Sequence, residues 1–345
     1  MRFIGCKTLL LENIHDVIKR HVKEAHTFCD IFSGTGTVGR YFKQFYEVYS
    51  NDLLYFSYVL QQGTIGLDEL PDFKELKKIN IQDPIEYFNS CDKVNLETLP
   101  IDKRFFQNNY APNGGRMYLN NENALRIDYA RNKIEDWFKD NLITKEEYFY
   151  LLACIIEGIP FVSNISGTYG AYHKQWERRT YKKYEVVRLP LYTNSKNNKC
   201  YNEDGIELLK KIKGDILYID PPYNERQYLP NYHVLETAAK YDNPKLKGIT
   251  GQREYENQKS DFCSLKTALI SFDTLLKNAQ FKHIILSYST DGLMPLSDIE
   301  NIMKKYATLN SITIYKIPYR RYKSRQQINK DELKELLIYM EKKCI

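Results

Sequence analysis

At 345 residues the chain can bury a large core, and its 27% charged and 43% hydrophobic residues are ordinary for a soluble globular protein. Fifty Lys and Arg against 44 Asp and Glu leave a mild net charge of +6, compatible with a polyanionic partner without requiring one. Seven cysteines scattered from Cys6 to Cys344 without a C-x-x-C pair, and six histidines without ligand spacing, argue against a disulfide framework and a metal site and for a reducing compartment.

No long apolar run follows the basic residue at the N-terminus, so neither a signal peptide nor a location outside the cytoplasm is expected. The first element is a helix, "TLLLENIHDVIKRHV". A short strand, "FCDIF", then leads into "CDIFSGTGTVGRYFK", Cys29 to Lys43, which holds a complete G-x-G-x-x-G at Gly34, Gly36 and Gly39. "VGRYFKQF" starts a helix, "EVYS" is a second strand, and Asp52 follows it. The spacing is that of a nucleotide-binding turn. Glycines let the backbone approach an adenosine closely, and a carboxylate past the next strand accepts from ribose hydroxyls. NAD and S-adenosylmethionine both carry that adenosine, so the loop alone does not choose between them.

From 61 to 199 the alternation of strand and helix is lost. The stretch is polar and helical in places ("ALRIDYARNKIEDWFKDN", "KEEYFYLLACIIEG"), with loops such as "APNGG" and "NISGTYGAYHKQW". The most apolar run, "YFYLLACIIEGIPFV", is interrupted by Glu157, Gly158 and Pro160 and is too short to span a bilayer, so no membrane contact is expected. The rhythm then returns. "GIELLKKIKG" reads as an amphipathic helix, "DILYID" and "HIILSYS" as strands, and "SITIYKIPY" and "KELLIYMEKK" as further strands separated by the charged "RRYKSRQQINKDE". Continuous aliphatic and β-branched runs suit strands buried on both faces of a mostly parallel sheet. The expected fold is α/β: one Rossmann-like nucleotide-binding sheet formed by 1–60 and 200–345, split by a largely helical insertion over 61–199.

Directly after the strand "LYI" stands "DPPY", Asp220, Pro221, Pro222 and Tyr223. Ligands of open α/β sheets sit outside the carboxyl ends of the strands, which is where this tetrapeptide falls. Its residue types suit one reaction. The lone pair of an exocyclic amine on a nucleobase is delocalised into the ring. A carboxylate and a carbonyl, each accepting from one of the two N–H groups, favour a pyramidal nitrogen with that lone pair released. Asp220 supplies the first and Pro221 the second. Two prolines hold the backbone with φ near −65° and offer no competing donor. Tyr223 offers a flat face for a base rotated out of a duplex. A bland Pro-Pro turn at a strand end is the alternative, but the apolar lead-in is a core strand and no further proline follows closely.

At these residues the chain resembles the adenine-N6 DNA methyltransferases of the Dam-like class, and within it the type II modification enzymes of the FokI kind. "RFIGCKTLLLENI" resembles that class's N-terminal cofactor motif, which implies cofactor contacts for Phe3 and Lys7; the class often has Trp at the first of these. "IFSGTGTVG" resembles its glycine motif, which implies that Asp30, Phe32, Gly34 and Gly36 hold S-adenosylmethionine, with Asp52 as the ribose-binding acid. "CYNEDGIELL" resembles the strand-end motif beside the cofactor adenine and implies Asp204, and Asp220 also faces the cofactor. "SGTYGAYHKQW" and "DPPYNERQYLPNYHVLETAAKYDNP" are similar to the FokI-like subgroup. The motif order, cofactor motifs first and "DPPY" after a long insertion, implies that the insertion recognises the target. The resemblance further implies a monomer acting on double-stranded DNA, alongside a restriction endonuclease for the same site.

For phosphate contact, "HKQWERRTYKKYEVVR" contributes Lys174, Arg178, Arg179, Lys182 and Lys183, and "RRYKSR" contributes Arg320, Arg321 and Lys323. A solvated basic face is the alternative reading of the first; the second is expected in a hairpin loop beside the flipped base. The rival functions are an N4-cytosine or RNA methyltransferase, an NAD-dependent oxidoreductase, which leaves "DPPY" unexplained, and a non-catalytic DNA-binding protein, which needs none of the cofactor residues.

Overall fold

The computed structural model describes residues 4–318 and 334–343. Seven strands among them form one sheet: β1 (Thr27–Asp30), β2 (Glu47–Asn51), β3 (Lys199–Tyr201), β4 (Lys213–Ile219), β5 (Gln280–Ser289), β6 (Thr313–Pro318) and β7 (Lys334–Glu341). Their order is β3-β2-β1-β4-β5-β7-β6. The first five run parallel, whereas β7 lies antiparallel between β5 and β6. The expected mostly parallel α/β sheet is therefore present. The chain leaves β1 in one direction to β2 and β3 and returns on its other side to β4. This makes the β1/β4 boundary the switch point at which such sheets bind ligands.

Alternation along the strands explains the two layers. On β4, Ile216 and Tyr218 face a core made with α1 (Leu11–His21) and α2 (Thr37–Phe42), where Ile14, Val17, Ile18 and Phe42 pack. Leu217 and Ile219 face the opposite core. That second layer is built by α6 (Gly205–Leu209), α8 (Ala268–Asn278) and α9 (Leu296–Tyr306). The helix read from "GIELLKKIKG" is only five residues long, because β4 already begins at Lys213.

The insertion contains four short helices followed by α4 (Asn121–Lys139) and α5 (Lys145–Val162). Thr144 starts α5 with a reciprocal capping box: its hydroxyl accepts from Glu147 N–H, and the Glu147 carboxylate accepts from Thr144 N–H. Apart from a small cluster of its own at Cys91, Leu96, Leu99 and Leu125, the insertion's buried apolar residues share one cluster with α3 (Tyr55–Gln62) and α7 (Leu229–Lys240), both of which belong to the sheet's own connections. Glu236 on α7, fully buried, reinforces that junction by accepting from the N–H groups of Tyr55 (3.1 Å) and Phe56 (2.9 Å) at the start of α3. No described helix is long and apolar enough to cross a membrane.

Candidate active site

The carboxyl ends of β1 to β4 open into one cavity. The strand register puts Asp30 beside Ser50 of β2 and beside Tyr218 of β4, so the residues just past each strand end converge. Of the residues expected from the sequence, Lys7, Asp30, Phe32, Gly34, Asp52, Asp204, Asp220, Pro222 and Tyr223 line this cavity. Gly36 and Pro221 are not part of the lining. Gly36 shapes the turn at the start of α2, and the Pro221 ring is buried behind Asp220.

The glycine turn owes its shape to backbone that other residues avoid. Gly34 and Gly36 have φ of +51° and +73°, the left-handed region. This turns the Gly34 N–H onto Asp52 Oδ2 at 2.8 Å, while Leu54 N–H donates to Oδ1 at 2.9 Å. Asp52 therefore ties the turn to the end of β2, and each oxygen keeps a lone pair for a ribose hydroxyl. Burial pushes its carboxyl up to about 7, and the two amide bonds oppose the shift. Behind it Asn51 donates to the carbonyls of Ile31 and Glu203, both at 3.1 Å, and clamps the ends of β1, β2 and β3 together.

Asp30 is 1% exposed, and neither of its carboxylate oxygens makes a hydrogen bond among the described residues. Burial first, and the neighbouring Asp220 second, hold its carboxyl well above the usual range, although Ser33 and the Gly39 amide lie near enough to oppose them. An acid placed so is unstable until a donor or a cation arrives. Asp204 caps α6 through one oxygen, accepting from Ile206 (2.9 Å) and Glu207 (3.1 Å). Phe32, edge-on to Phe262 with ring centroids 5.3 Å apart, and Ile206 supply apolar wall.

Asp220 sits at the end of β4 with its side chain 17% exposed. Lys7 Nζ lies 3.1 Å from its Oδ1 and also pairs with Glu335, the second residue of β7. Burial raises the Asp220 carboxyl to about 7; Lys7 pulls against this and Glu335 adds to it. Burial would lower the Lys7 ammonium, but the two carboxylates outweigh it and hold it above its ordinary value. Lys7 is thus an ion-pair partner of the "DPPY" acid and also lines the cavity for which the sequence resemblance implied a cofactor contact. Tyr223 is half-buried against the α8/α9 layer, and its carbonyl accepts from Leu293 N–H at 3.0 Å. Tyr228 lines the same cavity.

The cavity is a cleft at the carboxyl ends of the strands lined by Asp30, Asp52, Asp204 and Asp220, and comparison with known proteins identifies the lineage. The family model of D12 class N6 adenine-specific DNA methyltransferases matches residues 3–302. The chain belongs to this family. It is 48% identical over 346 residues to the type II methyltransferase M.FokI of Planomicrobium okeanokoites, covering 99% of this chain and 53% of that protein. Modification methylase StsI of Streptococcus sanguinis is 43% identical over 344 residues, covering 99% of this chain and 52% of StsI. Type II methyltransferase M.NlaIII of Neisseria lactamica is 34% identical over 337 residues, 96% of this chain and 95% of that protein. The chain thus spans about half the length of the FokI and StsI relatives and nearly all of the NlaIII relative.

Membership of this methyltransferase family implies S-adenosylmethionine, and the lining residues fit that group. Asp30 is a buried acid lacking a partner, which suits a cationic methionine end. Asp52 retains acceptors for ribose hydroxyls, and Phe32 and Ile206 offer a face for adenine.

The basic residues divide. Arg179 donates to the Ile165 carbonyl and pairs with Glu177 at 2.7 Å, so it closes its own loop. Lys183 donates to the Asn89 carbonyl. Lys174, Arg178 and Lys182 are exposed and make no ion pair among the described residues. Phe3, Arg320, Arg321 and Lys323 lie outside the described residues. Glu335, Glu236 and Asn51 were not read from the sequence. All three are polar residues buried by tertiary contacts; Asn51 stands next to Asp52 and Glu236 lies within the stretch that follows "DPPY", whereas Glu335 lies near no recognised motif.

Proposed function

We propose that the protein transfers a methyl group from S-adenosylmethionine to the N6 atom of adenine in double-stranded DNA, as the modification part of a restriction-modification system. The observation that carries this reading is Asp220: an acid at the carboxyl end of β4 that lines the cleft, followed by Pro221, Pro222 and Tyr223. The printed names of the relatives, type II methyltransferases and modification methylases, support it.

S-adenosylmethionine supplies a methyl group on a sulfonium, already a good leaving group. What the chain adds is binding and electrostatics. Asp30 faces the cationic end of the cofactor, Asp52 accepts from its ribose, and Phe32 and Asp204 flank the adenine. The Asp220 carboxylate and the Pro221 carbonyl accept from the two N–H groups of the target amine, localise its lone pair, and balance the positive charge that grows on nitrogen. Tyr223 stacks on the extruded base. Asp220 must be ionised to accept, so Lys7, which favours the carboxylate, has a direct part in activity. The insertion over 61–199 reads the target sequence, and Lys174, Arg178 and Lys182 neutralise phosphates. The protein acts as a cytoplasmic monomer beside an endonuclease for the same site.

The test is direct: incubate the protein with radiolabelled-methyl S-adenosylmethionine and unmethylated duplex DNA, digest to nucleosides and locate the label. N6-methyladenine is expected. Label in N4-methylcytosine would keep the cleft and overturn the base, and label only on RNA would overturn the substrate.

A further inference from the structure

In a parallel sheet only carboxyl ends of strands reach the ligand edge. The antiparallel strand β7 is an exception, because its first residues lie where its parallel neighbours end. The register sets Glu335 opposite Ser289, the last residue of β5. Its side chain, 4% exposed, turns inward, where Ser287 Oγ donates to Oε1 at 2.8 Å and the same oxygen pairs with Lys7. Lys7 in turn reaches Asp220 Oδ1. One buried ammonium is therefore shared between an acid of the "DPPY" turn and an acid more than a hundred residues later that does not line the cofactor cavity.

We propose that Glu335 is a positioning residue for the reaction: it fixes the Lys7 ammonium between two carboxylates, and so sets both the orientation and the proton affinity of Asp220. This rests on the methyl-transfer reading above. A lone Lys7–Asp220 pair would leave the lysine free to swing with the N-terminal segment. Glu335, itself held by Ser287 of β5, anchors the ammonium to the paired β5 and β7 strands. The anchoring has a cost. Glu335 takes up part of the positive charge and adds a negative one, so Asp220 holds its proton more tightly than it would opposite Lys7 alone. Other groups around Asp220 are Asp30 from β1, Tyr218 from β4, Tyr223 from the turn, and Tyr228 before α7. Of these Asp30 is the only carboxyl, and its own burial and the neighbouring Asp220 raise its proton affinity. Among the described residues Lys7 is the one cation of the group, and Glu335 controls how much of it Asp220 receives.

The experiment is the pH dependence of methyl transfer from pH 5.5 to 9 for the wild type, E335Q and E335D, with cofactor binding measured alongside. E335Q keeps the shape but removes the charge. Its acid limb should move to lower pH by about half to one unit, while kcat on the plateau falls roughly ten-fold as Lys7 and Asp220 lose their fixed geometry. E335D keeps the charge but not the reach: it should retain the wild-type limb and lose kcat, and it serves if Gln at this position prevents folding. Cofactor affinity should change less than three-fold in either. A wild-type limb and plateau in E335Q, or a plateau loss accompanied by an equal loss of cofactor affinity and no shift of the limb, would overturn the positioning role. An inactive wild type would instead remove the reading on which it rests, and the two failures are thereby distinguishable.

Discussion

Replacing Lys7 by methionine is the perturbation that separates two roles for this residue. In the structure its ammonium is 5% exposed, 3.1 Å from Asp220 Oδ1, and shared with Glu335. Methionine removes the charge but fills most of the volume, leaving two buried carboxylates facing each other. Removing one partner of a buried pair costs about 3–5 kcal/mol unless the remaining acids protonate. Protonation is the cheaper response, and here it falls on a group already raised to about 7. Loss of an adjacent opposite charge moves a carboxyl by about 1–3 units. With a shift of about two, the ionised fraction of Asp220 at pH 7.5 drops from roughly three-quarters to roughly 3%, about a 25-fold loss of the competent form. The assay is kcat/KM for methyl transfer over pH 6 to 9.5, with cofactor affinity measured separately. The expected result is a large loss at neutral pH, an acid limb displaced upward, and partial recovery toward pH 9. A uniform loss at every pH, tracking a loss of cofactor affinity, would refute the reasoning and assign Lys7 to direct cofactor contact instead.

Asp30→Asn should stabilise the free protein while weakening cofactor binding by at least ten-fold. Its folded carboxyl is raised above its unfolded value, so the penalty of the charged form starts above the unfolded range near pH 4 and grows as pH rises toward the folded value. The gain, about 1–3 kcal/mol for relief of an unsatisfied buried group, should appear in denaturant titrations at pH 8 and vanish near pH 4; an equal gain at both would contradict it. Gly36→Ala imposes a side chain on φ +73° and should cost about 1 kcal/mol with a loss of cofactor affinity, checked by thermal melting and equilibrium binding. Changing Lys174, Arg178 and Lys182 to Gln should reduce the salt slope of DNA binding by about 0.9 per lost phosphate contact, whereas Arg179→Gln, which breaks the bond to the Ile165 carbonyl, should instead lower the melting temperature. An unchanged salt slope in the triple variant would remove those residues from the DNA-facing surface.

The sequence was most legible where a local rule of backbone or strand geometry applied. The G-x-G-x-x-G turn demanded left-handed glycines, and Gly34 and Gly36 adopt them. "DILYID" and "HIILSYS" were buried on both faces and became β4 and β5, which put Asp220 and its neighbours at the ligand edge. Over 61–199, where strand rhythm was lost, the regular elements are helical apart from Lys199 at the start of β3, but the sequence did not show that most of its apolar residues would pack with α3 and α7, because a shared core depends on which apolar faces meet in space. The partner of Lys7 was hidden for the same reason. Glu335 looks in sequence like a charged residue opening the strand "KELLIYMEKK", and only the antiparallel insertion of β7 beside β5 turns it toward the end of β4. Arg179 failed in the opposite sense: a member of a basic run by composition, it is committed to a backbone carbonyl and to Glu177 by the fold of its loop.

The most direct test of the account compares wild type with Asp220→Ala in a single turnover, using duplex DNA and prebound labelled S-adenosylmethionine, with cofactor and DNA affinities measured on both proteins. The account predicts that the wild type deposits label on adenine N6, and that the variant binds cofactor and DNA within a few-fold of wild type while transfer falls by at least a thousand-fold, roughly 4 kcal/mol of lost transition-state stabilisation. Transfer to adenine that survives the loss of Asp220, or failure of the variant to hold the cofactor, would contradict it.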